Sequence, residues 1–385
     1  MPVEAIASAA GTTTVEITVS KFELLRELTA TQGVVERKTT IPILSNYLFE
    51  AAGDKLSLTA TDLDLSLRTA CAAKVKKEGA CTIPARKLHD YVKLLPDAEI
   101  TIKLLENHWV SIRCGRSNTK MVGMARANFP SLPAFPAAGV VKIPAQVLRA
   151  MIAKTGFAIA NEESRYTLNG ALMLLKPESI TMVATDGHRL AHIERSGAKF
   201  AGVSGEMKTL VPKKAMDELK SLLDATDAEE IEFAKDESTL YFRVGPRLLT
   251  SRQLTGQFPN FEAVLPKDNN KSVTLHGDEL AASISRVAQF ADERSRAVRL
   301  RLDKGELKLS ASSAETGESE DTIEIDYNGD AIAIGFNAQY LLDFLKAAGS
   351  GEVKLEFKDA QSAGQLRPAE SEDYKYRYIV MPMRI

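Results

Sequence analysis

Three stretches decide the fold: LSLTATDLDLSLR at 56–68, ITMVATDGHRLAHIE at 180–194 and LKLSASSAETGESEDTIEI at 307–325. Each follows an amphipathic helical segment and reads as a strand pair with a small Thr/Ser turn in its second strand. The turn residues Thr61, Thr185 and Ser312 stand 124 and 127 positions apart. A second half-repeat follows each one: IPARKLHDYVKLL (83–95), VPKKAMDELKSLL (211–223) and FNAQYLLDFLKAA (336–348). Pro84, Pro212 and Asn337 fall in register, 128 and 125 apart. The first two units also close alike, on Asn128-Phe129-Pro130 and Gln257-Phe258-Pro259. The chain of 385 residues is therefore three copies of about 125, each built of two similar halves.

The spacing predicts helices over 21–31, 84–95, 144–155, 212–223, 277–290 and 336–348. Pro84 and Pro212 suit a first helical turn, where the missing N–H costs nothing. Met216, Leu219, Leu222 and Leu223 share one helical face, as do Leu280, Ile284, Val287 and Phe290. Alternating runs such as TVEITVS (14–20) and EVKLEF (352–357) predict half-buried antiparallel strands. The class is α+β, with each half-repeat one helix on about four strands. Domains are expected at 14–136, 137–266 and 267–385, behind a flexible tail at 1–13.

With 49 Lys+Arg against 51 Asp+Glu the net charge is −2, which excludes a strongly basic nucleic-acid binder. The charge is not evenly spread. The six predicted helices hold twelve basic and eight acidic residues, an excess of +4, and the remainder carries −6. Cys71, Cys81 and Cys114 are too few and too irregular for a disulfide framework or a CxxC metal site, and read as reduced buried thiols of a cytoplasmic protein. No apolar run reaches the roughly 18 residues that span a membrane. The first dozen residues lack the basic start of a secretory signal.

The ordered motifs IPILSN (41–46), ATDLDLSLR (60–68), IPARKL (83–88), RYTLNG (165–170), VATDGHRLA (183–191), FPNFEAVLPK (258–267) and YIVMPMRI (378–385) carry a resemblance. From about Thr14 to Ile385 the sequence resembles the β sliding clamps, the processivity subunits of bacterial replicative DNA polymerase. The resemblance implies three similar domains of the DNA clamp fold, each with two helices packed on antiparallel sheets. It implies a head-to-tail homodimeric ring, with twelve helices around a central hole. Helices packed 8–10 Å apart would leave a hole of roughly 25 Å, enough for a duplex and a layer of water. A ring stays on DNA by topology, so weak, sequence-independent phosphate contacts suffice. The basic excess of the helices then becomes a lining.

The resemblance also implies site residues. Lys38, in the loop before Pro42, is expected to face DNA, with Arg86 and Lys87 at a helix start, the loop residues Arg165 and Tyr166, and the helix residues Arg149, Lys213 and Lys214. Glu162 departs from the polar amide the family can carry there. A groove for short linear peptides is expected from Leu168, Thr185, Gly187, His188, Arg189, Leu190, Pro259 and Val264. The chain end would complete it with Ile379, Val380, Met381, Pro382, Met383 and Arg384. Flexible methionines suit varied ligands, Arg189 and Arg384 are expected at the rim, and Ala263 stands where a larger basic residue is common. The polar stretch 363–378 precedes the last strand. Dimer contacts are expected from NTKMVGM (118–124) and from Phe290 to Leu300, with Lys120, Met121 and Phe290 foremost.

The implied partners are double-stranded DNA, a second copy of the chain, the replicative polymerase subunit, the clamp loader, and other polymerases and repair proteins, in the cytoplasm at the nucleoid. No cofactor and no catalytic activity are expected. Two rival readings remain: an interaction scaffold that has lost DNA loading, and a metal-dependent hydrolase using His188 and His192. The second pair lies on a strand and turn with no carboxylate to complete a metal set.

Overall fold

A computed structural model describes residues 15–36, 39–162, 165–197, 199–370 and 373–384. Lys38 and the expected tail at 1–13 lie outside the described residues. Among the described residues, six α-helices stand where the spacing placed them: α1 Lys21–Thr31, α2 Ala85–Leu94, α3 Ala145–Thr155, α4 Lys213–Asp224, α5 Gly277–Val287 and α6 Ala338–Ala348. The prolines differ from expectation. Pro84 and Pro212 end the strands Gly79–Pro84 and Met207–Pro212 rather than opening the helices. Pro84 is extended at φ −55°, ψ 114°, so its missing N–H falls at a strand end. Asn337 caps α6 in the same register, its Oδ1 accepting from Gln339 N at 2.9 Å and Tyr340 N at 3.3 Å. Because α4 runs on to Asp224, the helical charge excess is +3 rather than +4. Residues 288–290, expected as the end of α5, form a 3₁₀ turn.

The chain divides into two compact units. The first holds the described residues up to Gln146 together with Asp217–Gln253. One of its sheets has the order Lys74–Lys77, Glu16–Ser20, Glu99–Leu104, Trp109–Cys114, Ser117–Val122. The other has the order Val141–Pro144, Glu230–Lys235, Thr239–Val244, Arg247–Arg252, Leu65–Ala72, Lys55–Thr61, Asn46–Ala52, Gly79–Pro84. The middle seam of the latter pairs Leu248 with Arg68, Leu249 with Leu67, Thr250 with Ser66 and Ser251 with Leu65. α1 lies over Lys55–Thr61 and Leu65–Ala72, sinking Leu24 and Leu28 completely.

Glu27 of α1 is also fully buried. It accepts from Arg247 Nε at 3.0 Å and Nη2 at 3.2 Å, from Thr69 Oγ1 at 2.5 Å and from Arg26 Nε at 2.7 Å. A cleft of about 810 Å³ between α1 and residues of α4 is lined by Phe22, Leu25 and Leu222 among others, and by none of the expected site residues.

The second unit holds Val147–Met216 and the described residues from Leu254 onward. Its eight-stranded sheet runs Met207–Pro212, Gly170–Lys176, Ser179–Thr185, Arg189–Ser196, Lys375–Val380, Gly364–Pro368, Glu352–Phe357, Lys271–His276. Here the seam pairs Arg189 with Val380 and Leu190 with Ile379. A four-stranded sheet follows, ordered Gly317–Glu324, Glu306–Ser313, Ala297–Asp303, Ile332–Asn337. The expected four-strand half-repeats are thus present, but two pairs of them are fused edge to edge. The polar stretch 363–378 resolves into strands Gly364–Pro368 and Lys375–Val380, because Leu366, Tyr376 and Tyr378 bury alternately along it.

The small-residue turn joins the two strands of each pair instead of interrupting the second. Thr61 Oγ1 donates to Leu65 O at 3.0 Å and Asp62 Oδ1 accepts from Asp64 N at 2.9 Å. Thr185 and Asp186 repeat this with Arg189 O at 2.6 Å and His188 N at 2.9 Å. Short polar side chains are required there because they satisfy the turn's own backbone.

Candidate groove and DNA-facing residues

Around the expected groove residues lies a buried apolar cluster, a candidate floor, of Leu172, Val183, Leu190, Leu210, Phe258 and Ile379. Leu168, Leu174, Leu254, Phe261, Leu265 and Ala363 pack against it. Leu168, Leu190 and Ile379 were expected. Leu172, Val183, Leu210 and Phe258 were not, although inward alternation in GALMLLK and SITMVAT and the repeated Phe-Pro pair signal them. Beside the floor stands the turn of Thr185, Asp186, Gly187 and His188. Gly187 has φ +89°, a conformation glycine adopts without strain, and its N–H donates to Thr185 Oγ1 at 3.1 Å.

The chain end lies alongside. Met381 N donates to His188 O at 2.9 Å, and Met383 N to Gly335 O at 2.8 Å. The strand stops at Val380, so Met381 and Met383 are not core residues of it. Met381 and Val264 are each 44% exposed, large apolar groups presented to solvent beside a hydrophobic floor. Pro259, His188 and Arg384 are exposed, while Ile379 and Val380 are buried.

Arg189 corrects an expectation. It was assigned to the rim, yet its side chain is only 9% exposed. Its Nε meets Asp186 Oδ2 at 3.0 Å, Nη1 meets Asp343 Oδ2 at 2.6 Å and Nη2 donates to Phe157 O at 2.6 Å. The guanidinium lies 4.3 Å from the centre of the Tyr340 ring. With these donors committed, Arg189 fastens the turn to α6 rather than greeting a ligand.

The two histidines do not form a metal pair. His188 is exposed in the turn, whereas His192 is buried with its ring 5.6 Å from that of Phe261. Burial pushes its pKa down. No group of three or more potential metal ligands occurs among the described residues. The cysteines are buried and unpaired, and burial pushes the Cys71 and Cys81 thiols up to about 12.

Of the expected DNA-facing residues, Arg86 and Lys87 are exposed in the first turn of α2, and Lys214 is exposed on α4. Lys213 and Arg149 are half-buried. Tyr166 is 74% exposed. Arg165 is partly engaged, its Nη1 donating to Asp186 O at 2.7 Å and its Nε lying 3.3 Å from Glu162 Oε2. Elsewhere on the helices, Arg26, Lys220 and Arg286 are ion-paired, so part of the basic charge is already answered.

The expected dimer residues separate. Lys120 and Met121 lie on Ser117–Val122, an edge strand of its sheet. Phe290 sits in the 3₁₀ turn, and Ala297–Asp303 beyond it is paired on both sides. A strand with two neighbours has no free edge to offer. The edges of that sheet are Gly317–Glu324 and Ile332–Asn337, the latter touched by an isolated bridge from Gly335 to Met383.

Residues 15–133 match the family described as DNA polymerase III beta subunit, N-terminal domain, residues 142–260 its central domain and 262–384 its C-terminal domain. A beta sliding clamp of Pseudomonas putida is 37% identical over 96% of this chain and 99% of its own length. The crystal structure of a C. crescentus beta sliding clamp superposes with TM-score 0.90 at 34% identity, covering 97% of this chain and 100% of the other. A sliding clamp (DNA polymerase III subunit beta) from Pseudomonas aeruginosa bound to griselimycin gives TM-score 0.88 at 35% identity, over 96% and 100%.

Proposed function

The chain belongs to the DNA polymerase III beta subunit, or beta sliding clamp, family, and from that premise we propose that two copies close head to tail around duplex DNA. It is the processivity clamp, an accessory subunit of DNA polymerase III with no catalytic activity of its own. Three domains spanning about 14–136, 137–266 and 267–385 supply the repeat.

The observation that carries ring closure is the contrast between closed seams and open edges. Twice within the chain the last strand of one half-repeat mates with the outer strand of another. The corresponding strands Ser117–Val122 and Gly317–Glu324 remain open. In one seam Thr250 faces Ser66 and in the other Ile379 faces Leu190. The same positions on the open strands are Lys120 and Glu318, so a second copy brings opposite charges face to face. The 84% exposure of Leu94 and 53% of Val122 suit cover by that copy.

Inside the ring Arg86, Lys87, Arg149, Arg165, Tyr166, Lys213 and Lys214, with Lys38, contact phosphates loosely enough to slide. The groove receives short linear peptides of the polymerase, clamp loader, other polymerases and repair proteins, and griselimycin is taken as a groove ligand. The setting is the cytoplasm, at the nucleoid; no described helix is long and apolar enough to cross a membrane.

Loaded on a nicked circular plasmid, the protein is expected to stay bound through gel filtration and to leave when the circle is cut. Equal retention on circle and linear DNA would show grip rather than encirclement. A chain lacking residues 381–385 is expected to remain a dimer near twice 42.0 kDa while losing griselimycin binding by about 100-fold or more, since an apolar anchor and the turn's partner at His188 O go together. Undiminished binding would move the groove elsewhere.

A further inference from the structure

We propose that Arg165 is a latch with two alternative partners, the carbonyl of Asp186 or a DNA phosphate, and that it makes DNA in the ring weaken ligand binding in the groove. The inference rests on the proposed DNA and groove sites and concerns their coupling.

One short 3₁₀ turn, Tyr166–Leu168, serves both sites. Tyr166 stands in solvent, 74% exposed, on the expected DNA side. Two residues on, Leu168 packs against the groove floor. The backbone between them is rigidly tied: Leu168 N donates to Arg165 O at 2.8 Å, and Ala160 N to Leu168 O at 3.0 Å. Arg165 opens this turn and reaches across to the other side of the groove, where Nη1 donates to Asp186 O at 2.7 Å. Its guanidinium lies so near Gly187 that a Cβ there would be 3.0 Å from Nη1. One side chain thus clamps the Leu168 turn to the Asp186–His188 turn.

The clamp is exchangeable. The Arg165 side chain is 42% exposed, and its present acceptor on the turn is a neutral carbonyl. A phosphate offers two charged oxygens in the geometry a guanidinium fork prefers, and such bonds are about twice as strong as neutral ones. Glu162 Oε2, 3.3 Å from Nε, repels an approaching phosphate unless the guanidinium swings away from it. Taking the phosphate therefore releases Asp186 and loosens the turn that carries Gly187 and His188. Coupling of this kind is reciprocal: a ligand that needs the clamped turn must oppose DNA binding by the same factor.

Griselimycin affinity should be measured by calorimetry for the full-length protein, with and without a saturating 30-base-pair duplex at low salt. Wild type is expected to bind griselimycin about fivefold more weakly with the duplex present, at the low end of ordinary coupling. Arg165→Ala is expected to bind it that weakly without DNA and to show no further change on adding it. Tyr166→Ala is expected to lose duplex affinity while keeping wild-type griselimycin affinity. If Arg165→Ala weakens duplex binding yet binds griselimycin like wild type, the latch is overturned and the DNA site stands. If Arg165→Ala leaves duplex binding unchanged, the placement of DNA at Arg165 fails and the latch with it. Thermal melts of both variants separate these outcomes from misfolding.

Discussion

Arg247→Ala is expected to lower the stability of the first unit by about 3–5 kcal/mol, the usual cost of stranding a buried charge. The stranded group is Glu27, which has no solvent exposure and takes two of its four hydrogen bonds from Arg247. Chemical denaturation followed through that unit measures the loss, and a change within 1 kcal/mol, the scale of surface pairs, would deny the network its structural role. The repeat supplies a control. The positions of Glu27 and Arg247 correspond in the next copy to Met151 and Tyr376; Thr31 and Thr155 mark the register, each donating to the carbonyl four residues back at 2.9 and 2.8 Å. Glu27→Met with Arg247→Tyr is therefore expected to recover most of the stability, since filling such a site with apolar volume is often neutral.

The same network sets an acid limit. Burial works to raise the Glu27 pKa, but Arg247, Thr69 and Arg26 outweigh it, and the net direction is downward. A carboxylate with a depressed folded-state pKa stabilises above its unfolded value of about 4.3 and loses that contribution as pH falls through the folded value. Glu27→Met with Arg247→Tyr should flatten the stability profile below that pH, and an unchanged slope would assign acid sensitivity to other groups.

The second large effect is expected at the open edges. Lys120→Glu places a carboxylate opposite Glu318 at both junctions of a two-fold ring. Opposed like charges cost several kcal/mol across an interface, so dimer dissociation measured by sedimentation should rise by about 100-fold or more. Adding Glu318→Lys restores an opposite pair and should restore the dimer. A Lys120→Glu protein as dimeric as wild type would refute the register transferred from the two internal seams.

Much of this was legible in the sequence because it repeats. Helix positions followed from Leu and Ile spacing, and Thr61, Thr185 and Ser312 placed the turns. What the residues could not show was which strand edges are consumed. Leu65–Ala72 and Arg189–Ser196 look like edge strands of their half-repeats, yet each mates with a distant strand, and Ala297–Asp303, expected near the dimer contact, is interior. Edge status is a property of pairing partners, and alternation of buried side chains is the same on an edge or in the middle. Arg189 failed for a related reason. An arginine beside a turn looks like a rim group until Asp343, 154 positions away, is found holding it. The groove floor was half visible, since Phe258 repeats Phe129 but nothing local says that Leu172 and Leu210 meet it.

A thrice-copied fold carries a hazard during synthesis, because any nascent edge resembles three correct mates and can be captured by the wrong one. The two internal seams differ in kind, hydroxyls at Thr250 and Ser66 against hydrocarbons at Ile379 and Leu190, and the proposed dimer junction would set charges together, Lys120 and Glu318 on the open strands. A lysine edge presented to Leu190, or an isoleucine edge to Glu318, buries an unpaired charge and is rejected. The divergence of the copies at these few positions thus works as an address code, steering each edge to its own mate while the chain is still emerging.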